Sequence, residues 1–241
     1  MKETKGPTKS EWPMRINKYL AHKNYATRRG ADTLISAGKV FLNGKKATLG
    51  DQVNENDEVT LKDFKAADYV YYAYYKPSDV VTLSATQNEK SIGDVVEFPE
   101  KVFPLGRLDK DSEGLLIMTN DGRLTDKLLN PANDHEKEYY VEVDRPITHE
   151  FLVKMSQKID IGIHVTKKSK VRRADKNSFD IILSEGKNRQ IRRMCGVLGF
   201  GVKKLKRFRI MNIALGKLKP NQFRKLSTRE LSALFKSIGL S

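Results

Sequence analysis

The stretch from Phe103 to Gly122, FPLGRLDKDSEGLLIMTNDG, constrains this chain more than any other. Arg107, Asp109, Lys110, Asp111 and Glu113 fall within seven residues and are closed by Gly114. An apolar run, Leu115 to Met118, follows, and then the turn Asn120-Asp121-Gly122. A short apolar run bounded by turn residues reads as a buried strand. The charged cluster is therefore expected in a loop that feeds a core strand, where a rigid scaffold can hold polar groups beside a cleft. Taken from the residues alone, a solvated charged turn satisfies the same pattern.

The neighbouring segments supply what such a strand packs against. From Arg15 the pattern is helical, with Ile16, Tyr19 and Leu20 on one face. Thr27 is placed to cap a second helix carrying Ala31, Leu34 and Ile35, and Gly38 to end it. Val40 to Leu42, the hairpin dipeptide Asn43-Gly44 and a strand from Glu58 to Leu61 complete a module spanning 14–64, small enough to be marginal alone. Its polar face is basic: Arg15, Lys18, Arg28, Arg29, Lys39, Lys45 and Lys46. Residues 1–13 read as a flexible tail, 65–68 as a linker and 69–241 as the larger domain.

In that larger domain, Tyr69 to Tyr75 is a tyrosine-rich strand ending at Lys76-Pro77, either packed in a sheet or free to stack on bases. Leu124 to Leu129 reads as a helix stopped by Pro131. In HEKEYYVEV, alternation puts Tyr139, Val141 and Val143 on one face and Tyr140 with Glu142 on the other. A strand from Phe179 to Leu183 leads to KNRQIRRMCGVLG, where Ile191, Met194, Cys195 and Leu198 form an apolar helix face. Arg189, Arg192 and Arg193 lie off that face, and Gly199 is the stop signal. Val202 to Ile213 is a basic strand, and Ser227 to Glu230 has capping-box spacing ahead of the stripe Leu231, Leu234, Phe235 and Ile238.

Charge narrows the partner. Lys+Arg number 45 against 30 Asp+Glu, a net charge of +15 over 241 residues. Nucleic acid is the first candidate for a chain so basic. A membrane surface is disfavoured, because no basic amphipathic helix or long apolar span is present. Binding through six to ten phosphates would lose roughly 10³–10⁵ in affinity between low and moderate salt. The lone Cys195 excludes an internal disulfide and a cysteine-based metal site, and reads as a core thiol. His22, His135, His149 and His164 show no ligand spacing. The amino terminus has no apolar signal-peptide core, so a cytoplasmic, metal-free protein is expected.

The motif GRLDKDSEGLLIMTNDG resembles the catalytic motif of the pseudouridine synthases, in the branch that modifies ribosomal RNA and carries an added RNA-binding domain. The resemblance implies that Asp109 is the catalytic carboxylate, that Tyr139 stacks on the target base beside it, and that Arg192 of RQIRRM pairs with the carboxylate. Such a partner would hold Asp109 ionised, lowering its pKa by roughly 1–3 units. Read without the resemblance, Tyr139 is a core tyrosine. Met14 to Ala47 resembles the alpha-L RNA-binding module shared with ribosomal protein small-subunit four, which turns Arg28, Arg29 and Lys39 toward phosphate, with Arg15 and Lys18 on the same basic face. Arg107 joins them as an RNA contact, while Arg189 and Arg193 are phosphate contacts or plain surface charges.

The implied fold is α+β, a small RNA-binding domain followed by a catalytic domain with a mixed or antiparallel sheet and flanking helices. The implied reaction is an isomerisation that flips a uridine out of its stack and needs no cofactor. Large-subunit ribosomal RNA is the expected partner, transfer RNA an open second, and a monomer the default. Two rival classes remain to be tested: a ribosome-assembly protein that binds RNA without catalysis, and a base-excising glycosidase using Asp111 or Glu113 as its second carboxyl group.

Overall fold

The structure, a computed structural model, describes residues 12–23, 25–62, 68–130 and 133–240. The expected tail, apart from Trp12 and Pro13, the expected linker, apart from Asp68, and Pro131 lie outside the described residues. The N-terminal unit contains β1 (Met14–Arg15), α1 (Ile16–His22), α2 (Arg28–Ser36), β2 (Val40–Leu42), β3 (Lys45–Lys46), β4 (Gln52–Val53) and β5 (Val59–Leu61). Thr27 Oγ1 accepts a 3.0 Å hydrogen bond from the Gly30 amide and so starts α2. Asn43 and Gly44 both take positive φ, 49° and 78°, as a tight two-residue hairpin between β2 and β3 requires. Ile16, Leu20, Ala31, Ile35, Val40 and Val53 meet in one small core. Arg15, Arg28, Arg29, Lys39, Lys45 and Lys46 stay exposed and Lys18 is half-buried.

The second unit opens with β6 (Tyr71–Lys76), β7 (Val80–Val81), β8 (Lys90–Ser91), α3 (Ile92–Val95), β9 (Phe103–Leu105) and β10 (Glu113–Thr119). It continues with α4 (Arg123–Leu129), β11 (Lys137–Val143), α5 (His149–Ser156), β12 (Lys170–Asp175) and β13 (Ser178–Leu183). Last come α6 (Gln190–Val197), β14 (Val202–Ile210), β15 (Ile213–Ala214), β16 (Phe223–Lys225) and α7 (Thr228–Ser237). Nine of these strands form one sheet in the order β12-β13-β11-β14-β10-β6-β16, with β9 added to β10 and β15 to β14. Within it β10 and β14 run parallel, and the other pairs are antiparallel.

Strand β10 is buried on both faces, which is why its sequence is an unbroken apolar run. Leu115 and Ile117 pack with Leu124, Leu128, Leu234 and Ile238 of α4, α7 and its cap. Leu116 and Met118 point the other way, into the core that holds Phe151 and Met155 of α5 and Met194 and Cys195 of α6. At about 1.5–3 kcal/mol for each large side chain removed from water, this double burial is the main driving force for the layered arrangement. Strand β6 lies between β10 and β16, and all six of its residues are buried. Its tyrosines therefore pack, and base stacking by this strand is excluded. Among the described residues no helix is long and apolar enough to cross a membrane.

One glycine decides how closely the central strands approach. Gly114 has φ +114°, and a Cβ there would lie 2.2 Å from the carbonyl oxygen of Arg207. The parallel contact of β10 with β14, Gly114 opposite Arg207, thus requires the missing side chain.

Candidate active site

The loop between β9 and β10 is tied down through its backbone. Thr82 Oγ1 donates to the Leu108 carbonyl at 2.8 Å and accepts from the Leu108 amide at 3.1 Å. The Asp109 carbonyl accepts from the Ser112 amide at 3.1 Å, and the Lys110 carbonyl from the Asp79 amide at 2.8 Å. Arg192 Nη2 donates to the Asp111 carbonyl at 2.8 Å. Beneath the loop, the Lys76 ammonium is 0 % exposed and donates to the carbonyls of Pro77 at 2.7 Å, Val80 at 2.6 Å and Lys110 at 3.4 Å. Burial pushes Lys76 down to about 8, against the opposing pull of Asp79, Asp111, Asp109 and Glu113. Four consecutive carbonyls, 108 to 111, thus have donors. The half-buried carboxylate of Asp109, by contrast, makes no hydrogen bond or ion pair among the described residues.

Asp109 forms part of the wall of a cavity of about 520 Å³, together with Arg107, Lys137, Tyr139, Glu185, Arg189 and Arg207. Tyr139, 9 % exposed, comes from β11, where alternation buries it with Val141 and Val143. Its cross-strand partner on β14 is Arg207. That arginine is 4 % exposed, donates through Nε to the Leu115 carbonyl at 2.8 Å, and has a buried Nη2 with no partner. Lys137 donates to the His135 carbonyl at 3.2 Å, and burial together with the Arg207 charge pushes its ammonium down. Glu185 is 4 % exposed and fully occupied: the Lys167 amide donates at 2.9 Å and Gln190 Nε2 at 2.8 Å, while His164 Nε2 lies 3.0 Å away. Burial alone would raise this carboxyl, but those partners outweigh it and hold Glu185 below the usual range.

Arg192 does not pair with Asp109, contrary to expectation. Its Nε lies 3.3 Å from Asp111 Oδ2, its Nη2 is on the Asp111 carbonyl, and its Nη1 donates to the Val202 carbonyl at 3.1 Å. The guanidinium is thus anchored between the start of β14 and the far side of the loop. Arg189, which precedes α6 in a left-handed conformation (φ 51°), forks onto the same carboxylate at 3.2 and 3.0 Å. Burial would raise Asp111, but the Arg189 hydrogen bonds and the charges of Arg192 and Arg189 keep it below the ordinary carboxylate range. Arg193 is exposed, donates to the Asn188 carbonyl at 3.2 Å, and stands outside the cavity wall. Lys76, Thr82 and Arg207 carry roles that the sequence alone did not mark; Arg207 is hidden in a run of surface-like cations.

Two family models match this chain. Residues 14–59 match the S4 domain, and residues 70–196 match the RNA pseudouridylate synthases. The chain belongs to the RNA pseudouridine synthases. It is an isomerase of that family with an S4 domain at its N-terminal side. Among characterised relatives of this pseudouridine synthase is the dual-specificity RNA pseudouridine synthase RluF of Escherichia coli K12, 46 % identical over 93 % of this chain and 79 % of that protein. The ribosomal large subunit pseudouridine synthase B of Bacillus subtilis is 35 % identical over 91 % of this chain and 95 % of its own. A crystal structure of a pseudouridylate synthase superposes with a TM-score of 0.68 at 26 % identity, covering 92 % of this chain and 99 % of that one.

Proposed function

We propose that this synthase isomerises a specific uridine of large-subunit (23S) ribosomal RNA, with Asp109 as the catalytic carboxylate. One observation carries the assignment: of the two carboxylates in the cavity wall, Glu185 is engaged by three close partners, whereas Asp109 accepts no hydrogen bond and forms no ion pair among the described residues. A side chain left free on a loop whose carbonyls, 108 to 111, all have donors is preorganised for a bound partner rather than for the fold. The isomerisation breaks the N1–C1′ bond, turns the uracil and joins C5 to C1′, with a proton leaving C5 and one arriving at N1. Nothing is oxidised, and no co-reactant is consumed.

The target base must leave its stack at a cost of a few kcal/mol, and a ring such as Tyr139 returns about 1–3 kcal/mol by stacking. Arg192 acts as a positioning residue, holding the loop through Asp111. Arg107, Arg189 and Arg193 are assigned to the RNA backbone near the cavity. Arg15, Lys18, Arg28, Arg29 and Lys39 are assigned to the backbone held by a domain spanning 14–64, with catalysis in 69–241. Such contacts position RNA without reading its sequence. The reading places the protein in the cytoplasm, acting as a monomer.

The test uses deproteinised large-subunit RNA and transfer RNA from cells lacking the protein, mapped for pseudouridine after incubation with wild type or Asp109→Asn. A site made by wild type alone supports the reading and names the uridine. Equal conversion by both proteins removes Asp109 from the chemistry. Salt-sensitive binding without conversion of free RNA or ribosomal particles favours an assembly protein, and release of free uracil favours a glycosidase.

A further inference from the structure

Resting on the catalytic reading above, we infer that Arg207 grips a carbonyl oxygen of the target uracil and stabilises the negative charge the base acquires as it leaves the sugar. When the N1–C1′ bond breaks, the electron pair stays with the base, whichever atom Asp109 engages. The resulting uracil anion spreads its charge over O2 and O4. When C5 then bonds to C1′, the pair is returned to that new bond, C5 loses its proton and N1 gains one. A cation fixed beside those oxygens lowers the barrier at the point where charge develops.

Arg207 has the properties this task needs. It stands in the cavity wall at 4 % exposure, next to Tyr139 on the adjoining strand. Among the described residues no carboxylate pairs with it, and its one side-chain hydrogen bond is Nε to the Leu115 carbonyl. Among the described residues the buried Nη2 has no acceptor, although the large majority of buried side-chain polar atoms in proteins have a partner. Lys137, whose ammonium is pushed down by burial and by the Arg207 charge, adds a second cation to the same wall, and neither of the wall's carboxylates, Asp109 and Glu185, forms an ion pair with Arg207. The side chain is also rigidly mounted, since its backbone presses against Gly114 and its Nε is fastened to β10. A planar guanidinium held this way suits the coplanar carbonyls of a flipped uracil.

The test is a kinetic cycle on a short synthetic RNA carrying the mapped uridine, with that base as uracil, 2-thiouracil or 4-thiouracil. Sulfur is a poor acceptor, so wild type should lose about tenfold or more in single-turnover rate on one of the two thio bases, as expected for about 1.4 kcal/mol or more of lost hydrogen bonding. Arg207→Gln should slow the uracil substrate by about 10²–10³-fold and lose most of the thio effect. Arg207→Lys, which keeps the charge, should fall between. A thio penalty of equal size in wild type and variants overturns the assignment, and so does a variant as fast as wild type. Should the variants fail to fold, wild type alone decides, because equal rates on all three bases exclude a carbonyl contact. A wild type inactive on every RNA overturns the catalytic reading and this one with it, whereas an active wild type with no arginine-dependent thio effect overturns only this one.

Discussion

The two ends of strand β10 each carry an aspartate in a turn, and they are built in opposite ways. Beyond Thr119, the carboxylate of Asp121 is fully buried and saturated: Tyr71 Oη donates at 2.7 Å, Arg123 Nε at 2.9 Å, Arg123 Nη2 at 2.8 Å and the Arg123 amide at 3.1 Å. Arg123 in turn lies over the Tyr69 ring at 4.6 Å. Burial and the Asp121 charge push the Tyr69 phenol up to about 12, with the Arg123 charge opposing, so this end carries no phenol that ionises near neutrality. At the other end the carbonyls around Asp109 have donors, while its side chain accepts no hydrogen bond among the described residues. Where hydrogen bonds converge on the carboxylate, it is architecture; where they converge on the carbonyls around it, the carboxylate is left unengaged, as the proposed catalytic role of Asp109 requires.

That contrast can be broken most directly at Asp109. Asp109→Asn should lower the isomerisation rate by about 10⁴-fold or more, while the melting temperature moves by no more than about 2 °C. A comparable loss of stability would show that this end is architectural too. Gly114→Ala should act through the fold, costing on the order of 4 kcal/mol because a Cβ meets the Arg207 backbone in a left-handed conformation. A urea midpoint close to wild type would refute the close approach of β10 and β14.

Asp121→Asn should be the mirror image of Asp109→Asn. Stripping the buried partner of Arg123 should cost about 3 kcal/mol in urea unfolding, with the rate per folded molecule unchanged within about threefold. The smallest effect concerns pH. Lys76 has a pKa of about 8 in the folded protein and an ordinary lysine value when unfolded, so between these values the unfolded chain binds more protons. Its contribution to stability therefore rises from about pH 8 to about pH 10.5, by at most on the order of 3 kcal/mol. Subtracting the urea-midpoint profile of Lys76→Met should isolate that rise; parallel profiles would show that the ammonium is not buried against the Asp109 loop.

Much of this architecture is legible in local sequence pattern. The apolar run of β10, the alternation in β11, the cap at Thr27, the Asn43-Gly44 turn and the Ser227–Glu230 capping box each declare themselves within a few residues. Strands β7, β8 and β16 do not, being only two or three residues long, and β12 reads KVRRAD with hardly a buried position because it is the edge of the sheet. In the site, Asp109 and Tyr139 stood out through the family motif. The partner of Arg192 did not, because two aspartates two residues apart are equivalent in sequence and only the approach of α6 selects Asp111. Arg207 was illegible for a related reason: the glycine that lets its strand close in belongs to a strand on the far side of the primary structure.

That distance has a consequence for how the protein comes into being. The contact between Arg207 and Leu115 joins residues 92 positions apart, and β14 must slot between β11 and β10, both made earlier, in the middle of the sheet. Pairings of such long range form slowly and late, and a chain leaves its ribosome amino end first. The RNA-binding module and the Asp109 loop are therefore synthesised well before the cavity has its last wall. A nascent chain can hold RNA before it can alter it, and the appearance of activity marks the moment the central gap in the sheet is filled.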